Sequence, residues 1–146
     1  MARCFGQVRV TSADVRDKPA IDNAYLTSAE DRLVAAKGLR LTREIMCEFA
    51  GANQEVLPGP ELTTDEELAK AAEQVGTSIF HPVGTCAMGD VVDSSLGVNG
   101  VQGLKVCDAS VMPRITSGNT NTPTMAIAEI LAGMLEEEWR HNRTKT

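Results

Sequence analysis

Apolar and polar positions alternate from Gly6 to Ser12 (Gly6-Gln7-Val8-Arg9-Val10-Thr11-Ser12), which predicts a half-exposed strand. The stretch from Ala13 to Asn23 mixes charges with Pro19 and breaks the alternation, so it reads as a loop. From Ser28 to about Phe49 the spacing changes to that of a helix. Leu33, Ala36, Leu41, Ile45 and Phe49 fall roughly on one face, Gly38 weakens the middle, and Ser28 with Asp31 resembles a capping box. Pro58-Gly59-Pro60 interrupts the chain. Thr64-Asp65-Glu66-Glu67 then opens a second, shorter helix through about Val75, with Gly76 expected as a left-handed stop.

The second half has a different texture, rich in Gly, Pro, Thr and Asn. Two short apolar runs, Thr77-Ser78-Ile79-Phe80 and Leu104-Lys105-Val106-Cys107, predict strands ending at His81 and Asp108. A polar loop from Thr116 to Thr122 leads into a last helix from Pro123 to about Arg140. Thr122 is its expected cap, and Ile127, Ile130, Leu131, Met134 and Leu135 its buried stripe. The end of the chain reads as a solvated tail.

Composition narrows the function classes. The 146 residues hold 14 Lys and Arg against 20 Asp and Glu, a net charge of −6, which argues against nucleic acid as a partner. Aromatics make up only 3%, so base stacking has little to work with. No apolar run is long enough for a membrane span, and the first residues lack a signal-peptide pattern, so a cytoplasmic location is expected. Cys4, Cys47, Cys86 and Cys107 form no C-x-x-C pair and read as reduced packing thiols. A mixed site of His81, Cys86 and Cys107 is conceivable, but no metal centre is expected.

Three places could carry chemistry. His81, at a strand end, is either a structural imidazole or a general base near neutral pH. The loop around Asn119 is either ordinary turn chemistry or the approach to a helix N-terminus whose open N–H groups would hold an anionic ligand. Asp108 is a turn residue or a cofactor contact at the carboxyl end of a strand. The glycines at 97, 100 and 103 do not form the dinucleotide fingerprint, and no phosphate-cradling motif is present.

Several blocks in this order resemble the C-terminal part of the glucose–methanol–choline (GMC) oxidoreductases. They are His81-Pro82-Val83-Gly84-Thr85-Cys86-Ala87-Met88-Gly89-Asp90, the run Gly100 to Pro113 with Val106-Cys107-Asp108-Ala109-Ser110, and Ser117-Gly118-Asn119-Thr120-Asn121-Thr122-Pro123-Thr124. Residues 6 to 75 resemble the family's preceding strand and helices more loosely, and the sequence looks most like the choline dehydrogenase and alcohol dehydrogenase branch. Gly97 and Asn99 depart from the family, which often has arginine and histidine there, as does Phe5 from its usual arginine.

The resemblance implies a mixed α+β or α/β fold, a C-terminal fragment with part of the substrate domain and the last strand and helix of the FAD domain. The divisions would be 1–80 in the substrate-binding domain, 81–140 carrying the catalytic motif and the return to the FAD domain, and 141–146 as a tail. It further implies FAD-dependent oxidation of a small alcohol, with hydride passing to flavin N5. His81 maps onto the family's base and Asn119 onto its active-site partner, while Asp108, Ala109, Asn121 and Thr122 map onto FAD contacts. The family's G-x-G-x-x-G nucleotide-binding segment has no counterpart here, so the chain is expected to be a fragment that binds flavin weakly and turns over negligibly alone. Two other readings stand beside this one: a non-catalytic remnant serving as an interaction or oligomerisation module, and a cyanohydrin lyase of the same family. Exposed edges would also favour homo-oligomerisation. The alcohol and the electron acceptor are left open.

Overall fold

A computed structural model of the chain describes residues 5–49 and 55–144, so Cys4 lies outside the described residues. The chain is a small mixed helix and sheet assembly of two compact units, 1–77 and 78–146. Among the described residues no helix is long and apolar enough to cross a membrane.

The first unit begins with strand β1 (Gln7–Arg9), which pairs antiparallel with β2 (Ala20–Asp22), Val8 opposite Ile21. The expected loop at 13–23 therefore contains a strand. Asp14 accepts from Arg16 N, and Ser12 Oγ donates to Asp17, closing the turn that brings β2 back. Helix α1 (Ala29–Cys47) starts where Ser28 Oγ accepts from Asp31 N, at 3.0 Å. Helix α2 (Asp65–Val75) starts with a full capping box in which Thr64 and Glu67 exchange hydrogen bonds. Glu67 Oε2 also accepts from Thr63 N, so this carboxyl is held below its ordinary pKa, chiefly by the Thr64 N–H. Gly76 ends α2 in an extended conformation (φ −65°, ψ 143°) rather than the left-handed one expected.

Arg32 near the start of α1 meets Glu73 near the end of α2, while Arg40 meets Asp65 at the start of α2, so the two helices run antiparallel. Ala36, Leu68, Ala69 and Ala71 are their buried residues. Small side chains dominate this list, as close helix packing allows. Leu33, Leu41, Ile45 and Phe49, the expected buried face of α1, are exposed because α2 covers only the strip around Ala36. Arg43 anchors the connecting segment. It forks onto Glu55 and donates to the carbonyls of Gly59 and Leu62.

The second unit is mostly turns packed on one helix. Residues 77–80 and 104–107 are not strands. Ile79 is 74% exposed, and Phe80 takes a positive φ of 64°, which reverses the backbone where a strand would continue. The second run makes only an isolated bridge, Lys105 to Gly97. Short apolar runs need a neighbouring strand to complete a ladder, and none lies beside them among the described residues. Val92, Leu96, Val111 and Leu131 form the core, with Val91, Val98, Val106, Cys107 and Ile127 against it. Helix α3 (Asn121–Arg143) supplies Leu131 and Ile127 to that core. Ile130 and Leu135 of the expected stripe are exposed, because the turn segment covers only a narrow strip of the helix.

Candidate functional site

Every sequence-predicted site residue lies in the second unit, and a ladder of backbone bonds gathers the segments that carry them. Asp108 does not close a strand. Its carboxylate accepts from Ser110 N at 2.8 Å and caps the short 3-10 turn Ala109–Val111. The segment after His81 is laid onto that turn. Gly84 N and Cys86 N both donate to Ser110 O, and Met88 N donates to Val111 O at 2.9 Å. Gly84 has a φ of +92°, the left-handed region open to a residue without Cβ, and this lets two amides converge on one carbonyl. Val111 and Leu131 then join the turn to α3 through the core.

The start of α3 differs from expectation in a way that shapes the site. The helix begins at Asn121, so Thr120 and not Thr122 holds the cap position, and Pro123 stands third in the helix and not first. A capping threonine usually accepts from the N–H of the second or third helical residue, a bond worth about 0.5–2 kcal/mol. The third residue here is proline and has no N–H. Thr120 itself adopts helical angles (φ −81°, ψ −9°) instead of the extended ones a capping side chain needs, and it makes no capping bond. The N–H groups of Asn121 and Thr122 therefore have no acceptor among the described residues.

The freed Thr120 hydroxyl lies 3.2 Å from Nδ1 of His81. Thr120 is 6% exposed, while His81 is half-buried. The other ring nitrogen, Nε2, has no partner among the described residues. Phe80, immediately before His81, holds its positive φ at a cost of about 1–2 kcal/mol, a local strain that turns the chain just before the imidazole. Asn119 is exposed and makes no side-chain hydrogen bond among the described residues. The partner that the structure gives His81 is thus Asn119's neighbour. Asn121 and Thr122 are exposed at the open helix end.

Taken together, the arrangement offers a half-buried imidazole with one free nitrogen beside two unpaired N–H groups carrying the positive end of a helix dipole. That donor set suits a neutral hydroxyl compound at the ring and a negatively charged edge at the helix start. Sequence reasoning missed Thr120, because Thr122-Pro123 satisfied the helix-start rule and drew the boundary two residues late. The signal available was Pro123 itself. Placed third, it removes a capping donor and leaves a threonine hydroxyl unemployed.

The profile of the GMC oxidoreductase family matches residues 2–128. The chain is 39% identical over 137 residues to an alcohol dehydrogenase [acceptor] of Pseudomonas putida, covering 89% of this chain and 25% of that protein. It is 43% identical over 134 residues to an oxygen-dependent choline dehydrogenase of Pseudomonas fluorescens, covering 87% of this chain and 24% of the relative. Among solved structures, pyridoxine 4-oxidase from Mesorbium loti superposes with a TM-score of 0.81 at 31% identity, over 90% of this chain and 27% of that one. The chain thus spans about a quarter of the length of the curated relatives it matches.

Proposed function

The chain belongs to the GMC oxidoreductase family, and from that premise we propose that it carries the alcohol-handling part of an FAD-dependent oxidation of CH–OH donors. Alcohol or choline, the compounds in the names of its relatives, are the substrate class. The observation that carries the reading is the His81–Thr120 contact, which fixes an imidazole with a free Nε2 beside the open start of α3.

His81 Nε2 takes the hydroxyl proton of the alcohol as general base. Asn119 hydrogen-bonds the same oxygen through its carboxamide and holds it toward His81. The N–H groups of Asn121 and Thr122 would hold the part of the flavin that becomes negatively charged, where the helix dipole would stabilise that charge. Asp108 and Ala109 complete this chain's side of the cofactor site. Their backbone is already tied down, with Asp108 O accepting from Val111 N and Ala109 O from Met112 N, so little ordering remains on binding. When bound, FAD supplies the acceptor for the hydride that leaves the carbinol carbon. What supports this fit is the helix end, which presents two donors without an acceptor among the described residues and no acidic side chain in its first turn.

The test is reconstitution. The 146-residue chain is joined to, or mixed with, a nucleotide-binding region of a family member and offered choline and simple primary alcohols under anaerobic conditions. Stoichiometric flavin absorbance with alcohol-dependent bleaching is expected for the reconstituted protein, and weak flavin retention for the isolated chain. Flavin retained without bleaching by any alcohol would overturn the oxidation. Cyanide released from a cyanohydrin in its place would point to a lyase.

A further inference from the structure

Among the described residues, Thr120 is the one buried polar side chain. The helix that follows does not use its hydroxyl, because Pro123 removes one donor and the backbone angles of Thr120 turn the side chain from the other. Only the Thr120 carbonyl serves the helix, accepting from Thr124 N at 3.1 Å and Thr124 Oγ1 at 2.7 Å. The hydroxyl instead lies 3.2 Å from His81 Nδ1, thirty-nine residues away in sequence. Buried polar groups are hydrogen-bonded, and among the described residues this imidazole is the one partner of the hydroxyl.

We infer that Thr120 is a positioning residue for His81: its hydroxyl holds Nδ1 and thereby presents Nε2, as a bare acceptor, to the alcohol. The inference rests on the reading of His81 as proton acceptor. Nε2 can accept only while the ring's single proton sits on Nδ1, and that proton then needs an acceptor of its own. Thr120 Oγ1 is that acceptor. When the alcohol proton moves to Nε2, the alcohol oxygen keeps the electron pair of the O–H bond and the ring becomes imidazolium. Nδ1–H goes on donating to Oγ1, so the supporting bond needs no rearrangement as the proton moves.

Two substitutions separate orientation from bulk. Thr120→Val keeps the shape and removes the hydroxyl, while Thr120→Ser keeps the hydroxyl. The first readout is nitrogen-resolved NMR of the full chain in the neutral imidazole form, with exposed His141 as internal reference. Wild type and Thr120→Ser are expected to hold His81 mainly as the Nδ1–H tautomer. Thr120→Val should move the tautomer ratio about five-fold toward Nε2–H, the effect of losing one net hydrogen bond. The second readout is the flavin-loaded protein, where Thr120→Val should lower kcat about ten-fold or more with KM changed less than about three-fold, and Thr120→Ser should recover most of the loss. Unchanged His81 nitrogens in Thr120→Val would overturn the inference. So would equal tautomer ratios at His81 and His141 in the wild type, which needs no variant. Should His81→Gln retain full turnover, the base assignment fails, while the nitrogen shifts still decide whether Thr120 holds the ring.

Discussion

Leu131→Ala tests the packing that holds α3, and with it Thr120, against the turn segment. Leu131 is 7% exposed and touches a cluster with Val92, Leu96 and Val111. The truncation removes three carbons, each worth about 0.8 kcal/mol when buried, or about 2.4 kcal/mol in transfer alone. The site collapses poorly, because Met88 N and Asn99 N tie Val111 and Val91 to their own backbone partners. A residual cavity therefore adds to the loss, for a total of about 3 kcal/mol. Ile130 is the control one residue away. It is 59% exposed, so Ile130→Ala should cost about 1 kcal/mol or less. Urea unfolding read by Trp139, the only tryptophan and a residue of α3, reports on this helix in particular. Midpoints at constant m give the difference between the variants. A loss in Ile130→Ala equal to that in Leu131→Ala would refute the register of α3 and the placement of Thr120 that follows from it.

Two further outcomes are expected. Glu67 is held below its ordinary pKa of 4.5 by the Thr64 and Thr63 donors, so the folded state favours its charged form. Its contribution to stability is present above that ordinary value and is lost as pH falls through the depressed one. Glu67→Gln should therefore lower stability at neutral pH and flatten the acid side of a melting-temperature profile; an unchanged acid slope would show that the capping box does not act this way. Asn119→Ala in a flavin-loaded protein should lower kcat/KM for the alcohol about ten-fold, the worth of one substrate hydrogen bond, with helical content and flavin content retained. Equal rates would remove Asn119 from the substrate oxygen.

What the sequence disclosed follows the range over which each signal acts. The starts of α1 and α2 are legible because Ser28 and Thr64 meet donors three residues away. The runs at 77–80 and 104–107 could not be read alone, because a strand exists only with a partner, and here the backbone turns or bridges instead. The spacing of apolar residues predicts whole helical faces, yet only Ala36 in α1 and Leu131 in α3 are buried, since burial depends on what lies opposite. His81 and the loop before α3 stood out through the resemblance to known oxidoreductases. Their link through Thr120 did not, because it is a contact between distant residues, and a plausible capping motif two residues later concealed it.

The role of His81 is tested most directly by anaerobic single-turnover bleaching of the flavin by an alcohol, in protein carrying both this chain and a nucleotide-binding region. His81→Gln is compared with the unsubstituted protein at matched flavin content. A rate lowered at least a hundred-fold is expected, the contribution of a positioned base, with flavin occupancy unchanged. A rate lowered only in proportion to lost flavin, or not lowered at all, would contradict it.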